Sequence, residues 1–297
     1  MTRKKHNDNK DALQGERLQK KLAASGYGSR REIERWISEG RLKINGQLAK
    51  LGDRVTEEDI ISLDNRPLSS KRLSNIQRRV IIYNKPEGEL VTRSDPEGRK
   101  TVFSRLPKLD KGRWVAVGRL DINSAGLLIF TTDGELANRL MHPSQQIERE
   151  YAVRVMGEVT DEMLEQLVHG KQLEDGFARF EDIVESGGEG INRWFHVVIM
   201  EGRKREVRRL WESVGLKVNR LKRVRFGNII LDSSVKAGQW RDLDDKESLD
   251  LLQLAGLDQE KMPRKSASSR KNVYGKKKAP LKFSGKKNSG KGRSQSS

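Results

Sequence analysis

The stretch from residue 115 to residue 134 constrains the fold more than any other part of the chain. Val115 and Val117 alternate with other residues as in a strand with one buried face, and residues 127–130 (LLIF) form an apolar run typical of a buried strand. The polar break between them, GRLDINSAG, is rich in residues that favour turns. Asp121 is therefore expected on a loop between two core strands, where functional side chains are often found. On spacing alone, a turn-forming hydrogen bond is the simpler explanation of Asp121.

The rest of this region indicates an α+β domain. Asp133 is placed to cap a helix that ends before Pro143. Residues 151–155 (YAVRV) alternate strictly, as a strand does, whereas residues 160–170 and 206–214 have helical capping and spacing. Strands follow one another without a regular βαβ rhythm. The pattern therefore predicts a mixed, mainly antiparallel sheet with helices.

The N-terminal module, residues 15–73, has the signals of a small helical and hairpin unit. Ser29 and Glu32 form a capping box at the start of a helix whose buried face includes Ile33 and Ile37. Asn45-Gly46 is a hairpin turn signal after a short strand. Basic residues lie on or beside these elements and are candidate RNA contacts: Arg30, Arg31, Arg35, Arg41 and Lys43. A solvated surface is the alternative for each of them.

Charge predicts a polyanionic partner. The net charge is +18, and residues 261–297 contain thirteen Lys or Arg and no Asp or Glu. This tail lacks the apolar residues of a core, so we expect it to be disordered and to contact RNA phosphates, with a solubilising role as the alternative. Residues 1–14 are expected to be disordered, and a linker is expected around Pro67 to Gln77.

Several classes of chemistry are disfavoured by composition. The chain has no cysteine, which excludes disulfides, Cys-ligated metals and a thiol nucleophile. Its four histidines lack ligand spacing, so no metal site is expected. We see neither a secretory signal nor a membrane-length apolar run, and we therefore expect a cytoplasmic protein without a membrane partner.

Ordered motifs resemble the RsuA/RluB branch of the pseudouridine synthases. The central motif GRLDINSAGLLIFTTDG is followed by His142-Pro143. Four other blocks occur in the family's order: YNKPEG at 83–88, the segment 95–107, REY at 149–151 and EGRKREVRRL at 201–210. The N-terminal module resembles an S4 RNA-binding domain. The resemblance covers residues 15–245 and is closest to members that modify one uridine of 23S ribosomal RNA.

The resemblance implies a pseudouridine synthase domain over residues 78–255, called the second domain below. It implies cofactor-free isomerisation of a specific uridine in 23S ribosomal RNA by a monomer that binds no metal. There are two alternatives. One is the same reaction on 16S ribosomal RNA or tRNA, and the other is a non-catalytic RNA-binding role in ribosome assembly. Ser124 stands where many relatives have Thr, and Arg205-Glu206 where many have His-Gln.

The resemblance also assigns site residues. Asp121 matches the catalytic aspartate, acting either as nucleophile or as base. Arg208 matches its basic partner and contributes to substrate binding, with a phosphate contact as the alternative. Tyr151 matches a residue that stacks on the flipped base, and Leu221 matches a pocket leucine, with core packing as the alternative for both. Arg119 is the remaining residue expected to bind substrate.

Overall fold

The computed structural model describes residues 15–74 and 77–257. The expectations for residues 1–14 and for the basic tail, 261–297, lie outside these described residues. None of the helices in the two described ranges combines the length and the apolar character needed to cross a membrane.

The N-terminal module consists of three short helices and six short strands. Its elements are β1 Glu16–Arg17, α1 Leu18–Ala24, α2 Arg30–Ser38, β2 Leu42–Ile44, β3 Gln47–Leu48, β4 Arg54–Val55, β5 Ile61–Leu63, β6 Arg66–Pro67 and α3 Ser70–Leu73. The predicted capping box is present, because Ser29 Oγ accepts from the Glu32 amide at 3.1 Å and Glu32 Oε2 accepts from the Ser29 amide at 3.2 Å. Asn45 and Gly46 have φ angles of 50° and 86°, as the predicted tight hairpin requires.

The linker expected around Pro67 to Gln77 is only partly correct. Pro67 belongs to β6, and α3 is a single helical turn. Arg72 on α3 lies over the ring of Tyr27 at 4.6 Å and donates to the carbonyls of Ser25 and Gly26 at 3.3 and 3.2 Å. The contacts of Arg72 and the packing of Leu73 against the core of the module together attach this turn, and local sequence does not reveal the contacts of the arginine.

The second domain contains the larger sheet. Its elements are β7 Val80–Lys85, β8 Val115–Val117, β9 Ala125–Thr131, α4 Gly134–Met141, β10 Arg149–Met156, α5 Asp161–His169, β11 Lys171–Leu173, β12 Gly176–Ala178, β13 Asp182–Glu189, β14 Asn192–Ile199, α6 Glu206–Glu212, β15 Lys217–Phe226, β16 Ile229–Ile230, β17 Trp240–Asp242 and α7 Asp245–Leu254. The main strand order is β13-β14-β10-β15-β9-β7-β17, with β8 beside β9 and β16 beside β15. Only the pair β15–β9 is parallel among these described strands. The predicted α+β class with a mixed, mainly antiparallel sheet is confirmed.

The central strands are buried on both faces of the sheet. On β7, Ile81 and Tyr83 pack into the core beneath α5 and α6, whereas Val80 and Ile82 pack into the core beneath α4 and α7. All six residues of β7 are buried. Burial on both faces explains why β7 and β9 appear as continuous apolar runs rather than alternating ones.

The parallel contact between β9 and β15 depends on Gly126. This residue has φ of +102°, and a Cβ there would lie 2.2 Å from the carbonyl oxygen of Arg223 on β15. Only glycine accommodates both constraints without moving the backbone. Gly126 thus fixes the start of β9, directly after the loop that carries Asp121.

Candidate active site

The Asp121 loop joins the end of β8 to the start of β9. These two strands pair antiparallel, with Val117 opposite Ile129, so their hydrogen bonds hold both ends of the loop. Asp121 is exposed, and its carbonyl accepts from the amide of Ser124 at 3.0 Å, which closes a tight turn. The predicted loop position is therefore correct. The turn bond uses the backbone of Asp121, so its carboxylate can take another role.

A cleft of about 1110 Å³ opens in front of this loop. Four of the residues expected at the site line it together: Arg119, Asp121, Tyr151 and Leu221. Tyr151 on β10 and Leu221 on β15 are only 7% and 5% exposed, and both belong to the core beneath α5 and α6. Core packing and a place in the cleft wall are thus compatible for these two side chains.

Lys85 supports the Asp121 loop from inside the domain. It is the last residue of β7 and is fully buried. Its ammonium donates to the carbonyls of Pro86 at 3.0 Å, Asp121 at 3.1 Å and Ser124 at 2.7 Å. Burial lowers the pKa of Lys85 to about 8, and the carboxylate of Glu89 is the largest opposing influence. Lys85 therefore fixes the loop by charge-assisted bonds to its backbone.

Arg208 supports the same loop from α6. Its Nη1 donates to the carbonyl of Val218 and its Nη2 to the carbonyl of Asn123, each at 2.8 Å. Arg208 is buried, so its side chain holds backbone carbonyls instead of projecting along the surface. Burial lowers its pKa, the charge of Arg205 lowers it further, and the charge of Asp121 opposes both. Among the ion pairs of the described residues, none joins Asp121 to Arg208.

Two further arginines, not anticipated from the sequence, line the cleft. Arg149 and Arg223 flank the ring of Phe226, with guanidinium carbons 5.2 and 5.4 Å from its centroid. Arg149 donates to the carbonyls of Ile147 and Met200, each at 2.6 Å. Arg223 donates to the carbonyl of Leu127 at 2.7 Å, and its Nη2 has no hydrogen-bond partner in the described part of the chain. The only sequence signal is that each takes an inward position of an alternating strand.

The basic residues of the N-terminal module differ in how far they are neutralised. The five predicted RNA contacts lie on α2 and β2 or between them: Arg30, Arg31, Arg35, Arg41 and Lys43. Arg41 makes two bonds to Asp64, at 2.8 and 2.6 Å, and Arg35 lies 3.6 Å from Glu39. The first two arginines are exposed. Of the five predicted contacts, Arg41 is the least suited to bind a phosphate, because its guanidinium already binds the carboxylate of Asp64.

The described residues contain no group of three His, Asp or Glu side chains arranged to hold a metal ion. What the site offers is one exposed carboxylate on a firmly held loop, an aromatic ring in the wall of the same cleft, and nearby buried cations. Such a carboxylate can act as a nucleophile or as a base towards a ligand in the cleft.

Comparisons with known proteins agree with this geometry. The family model for RNA pseudouridylate synthase matches residues 79–213, and the S4 domain model matches residues 16–61. The first match includes Asp121, Tyr151 and Arg208, whereas Leu221 lies beyond its end.

Three relatives are named ribosomal large subunit pseudouridine synthase B. The Pseudomonas aeruginosa protein is 56% identical over 260 residues, covering 87% of this chain and 67% of the relative. The Vibrio cholerae protein is 58% identical, covering 83% and 77%, and the Escherichia coli K12 protein is 57% identical, covering 82% and 84%. A crystal structure of a pseudouridylate synthase is 26% identical with a TM-score of 0.56, covering 79% of this chain and 99% of that one.

Proposed function

This chain belongs to the RNA pseudouridylate synthase family, and from its site we propose that it converts one uridine of large-subunit (23S) ribosomal RNA to pseudouridine. The target RNA comes from the names of relatives that are 54–58% identical. The enzymatic class is that of an isomerase, because substrate and product contain the same atoms.

The reaction requires only groups that this chain can supply. The bond between C1′ and N1 of uridine breaks, the base turns, and C1′ joins C5. No oxidant or second substrate is consumed, which supports cofactor-free catalysis. One carboxylate suffices, either as a nucleophile or as a base at the sugar C2′. Asp121 lines the cleft from its firmly held loop, and we assign it one of these two roles.

The cleft suits a nucleotide taken out of its base stack. An enzyme that acts on these atoms has to extrude the nucleotide, because stacking covers them. The ring of Tyr151 offers a stacking surface, worth about 1–3 kcal/mol per base. Leu221 adds apolar surface beside it, and Arg119 supplies an exposed cation two residues before Asp121. We assign these three residues to substrate binding.

The observation that carries the proposal is the anchoring of the Asp121 loop. Lys85 holds the carbonyls of Asp121 and Ser124, and Arg208 holds the carbonyl of Asn123. Both cations act on the backbone, so the Asp121 carboxylate is held in place while it faces the cleft. Preorganisation of this kind lowers the reorganisation needed during reaction. Arg208 is therefore a positioning residue that also contributes positive charge near Asp121.

RNA is the partner that this arrangement serves. The N-terminal module is matched by the S4 domain model, and two of its arginines are exposed and lack an ion pair within the described ranges. We propose a monomer that needs no metal. Because bacterial ribosomal RNA is made in the cytoplasm, we place the enzyme there. We also propose the domain limits expected from the sequence: the RNA-binding module at 15–73, the catalytic domain at 78–255 and the basic tail at 261–297.

Mapping pseudouridine across total RNA, with and without this protein, tests the proposal. We expect one position in 23S ribosomal RNA to lose its pseudouridine when the gene is deleted and to regain it when the chain is restored. Loss of pseudouridine at a position in 16S ribosomal RNA or tRNA would instead identify that RNA as the substrate. An unchanged map would favour the non-catalytic role in ribosome assembly.

A further inference from the structure

Three arginines from separate segments meet where the N-terminal module contacts the second domain. Arg30 begins α2, Arg93 lies in the segment after β7, and Arg113 lies just before β8. Many arginines elsewhere pair with carboxylates, but none of these three has an ion pair within the described ranges. They are therefore a concentration of positive charge that the protein itself leaves largely uncompensated.

Hydrogen bonds fix two of these side chains at the junction. Arg113 Nη1 donates to the carbonyl of Gly28, one residue before the N-cap of α2, at 3.1 Å. Arg93 Nη2 donates to the carbonyl of Trp114, the neighbour of Arg113. A guanidinium has five N–H donors, so each of these bonds leaves others for a ligand.

The junction also adjoins the cleft. The guanidinium carbon of Arg93 lies 4.5 Å from the ring centroid of Phe103, and Phe103 and Thr92 line the cleft that contains Asp121. The arginines thus lie between α2 of the N-terminal module and the cleft wall. An RNA strand bound by both would pass over them.

The electrostatics of the three arginines favours binding of an anion. The pKa of Arg113 is lowered, chiefly by burial and then by the like charges of Arg93 and Arg30, with Glu32 opposing. Glu32 is already engaged, because its carboxylate accepts from the Ser29 amide in the capping box. Holding like charges together is unfavourable, and a bound phosphate would relieve the repulsion.

We propose that Arg30, Arg93 and Arg113 bind the phosphodiester backbone of the RNA strand that connects the N-terminal module to the cleft. The inference rests on the proposed function in taking RNA as the ligand. It adds two residues of the second domain to the RNA contacts expected from the sequence. It also gives a reason for the fixed contact between the module and the domain, since the binding site needs residues from both.

The test is the salt dependence of RNA binding by the full chain. The probe is a short transcript of the segment that contains the mapped uridine, and the variants are Arg93→Gln and Arg113→Gln. Loss of one phosphate contact lowers the slope of log affinity against log salt by about 0.7, so the defect should be about threefold larger at about 0.05 M than at about 0.2 M salt. Arg93→Lys should keep the wild-type slope, because it keeps the charge.

Arg99→Gln is the matched control. Arg99 follows Arg93 in the same segment, but it is paired with Asp95 at 2.7 Å and with Glu97 at 3.1 Å. Its loss should leave the slope unchanged. Wild-type slopes for both Arg93→Gln and Arg113→Gln would overturn the inference. A lowered melting temperature of these variants, without a change of slope, would show that the two arginines only stabilise the fold. Conversion of the transcript by the wild-type chain tests the proposed function separately, since failure to convert would leave the slopes interpretable.

Discussion

Replacing Lys85 by Met should change how the stability of the protein depends on pH. The Lys85 ammonium is fully buried and makes bonds of 3.0, 3.1 and 2.7 Å to three carbonyls. Burial lowers its pKa from 10.5 to about 8. The lowered pKa means that the protein disfavours the charged form by about 3 kcal/mol.

The direction of the effect follows from proton binding. Below about pH 8, Lys85 is protonated in both the folded and the unfolded chain, so it lowers the free energy of unfolding by a constant amount. Between about pH 8 and 10.5 the unfolded chain still binds the proton while the folded chain has lost it. Stability of the wild type should therefore rise, relative to Lys85→Met, by about 3 kcal/mol across this range.

Urea denaturation monitored by tryptophan fluorescence measures this difference. At neutral pH the variant removes the donor from the carbonyls of Pro86 and Ser124, at about 2 kcal/mol each, whereas the Asp121 carbonyl keeps its bond from the Ser124 amide. Removal of the burial penalty, about 3 kcal/mol, offsets most of that loss. Lys217→Met is a matched control, because Lys217 is an exposed lysine on β15. If wild type and Lys85→Met showed parallel pH dependences, the assignment of Lys85 as a buried ammonium would be refuted.

Further predictions concern catalysis and binding. The single-turnover rate of the wild type should fall above about pH 8, because a neutral Lys85 amine has only two N–H donors for the loop. Arg208→Gln should lower this rate about a hundredfold by misplacing the loop. Arg208→Lys should be intermediate, and Arg209→Gln should match the wild type because Arg209 pairs with Asp175 instead; a wild-type rate for Arg208→Gln would remove its positioning role. Deleting residues 261–297 should flatten the salt dependence of RNA binding, as filter binding would measure, and an unchanged slope would exclude the tail from phosphate contact.

Local patterns predicted the elements around the site because those elements depend on neighbouring residues. The turn-rich break places Asp121 between β8 and β9, and Asp133 caps α4 by accepting from the amides of Glu135 and Leu136. Capping and alternation are short-range effects, so a single sequence contains them. The role of Asp121 came from the family resemblance, since its spacing alone favoured a simple turn.

The supports of the loop could not be predicted in the same way. Lys85 ends an apolar strand, and nothing nearby in sequence indicates that its ammonium reaches Ser124, 39 residues later. The bond from Arg208 to Asn123 spans 85 residues. Arg41 was expected to bind RNA, yet Asp64, 23 residues away, occupies its guanidinium. Long-range pairing of charged groups depends on the tertiary fold, which local periodicity does not encode.

The most direct test of the account is the activity of Asp121→Asn. The substitution keeps the shape of the side chain but removes its charge, so the loop and the cleft should persist. With saturating transcript in single turnover, we expect pseudouridine formation to fall by at least about a thousandfold while RNA affinity stays at the wild-type value. Formation of pseudouridine by pure Asp121→Asn protein at a rate near that of the wild type would contradict the assignment of Asp121 as the catalytic carboxylate.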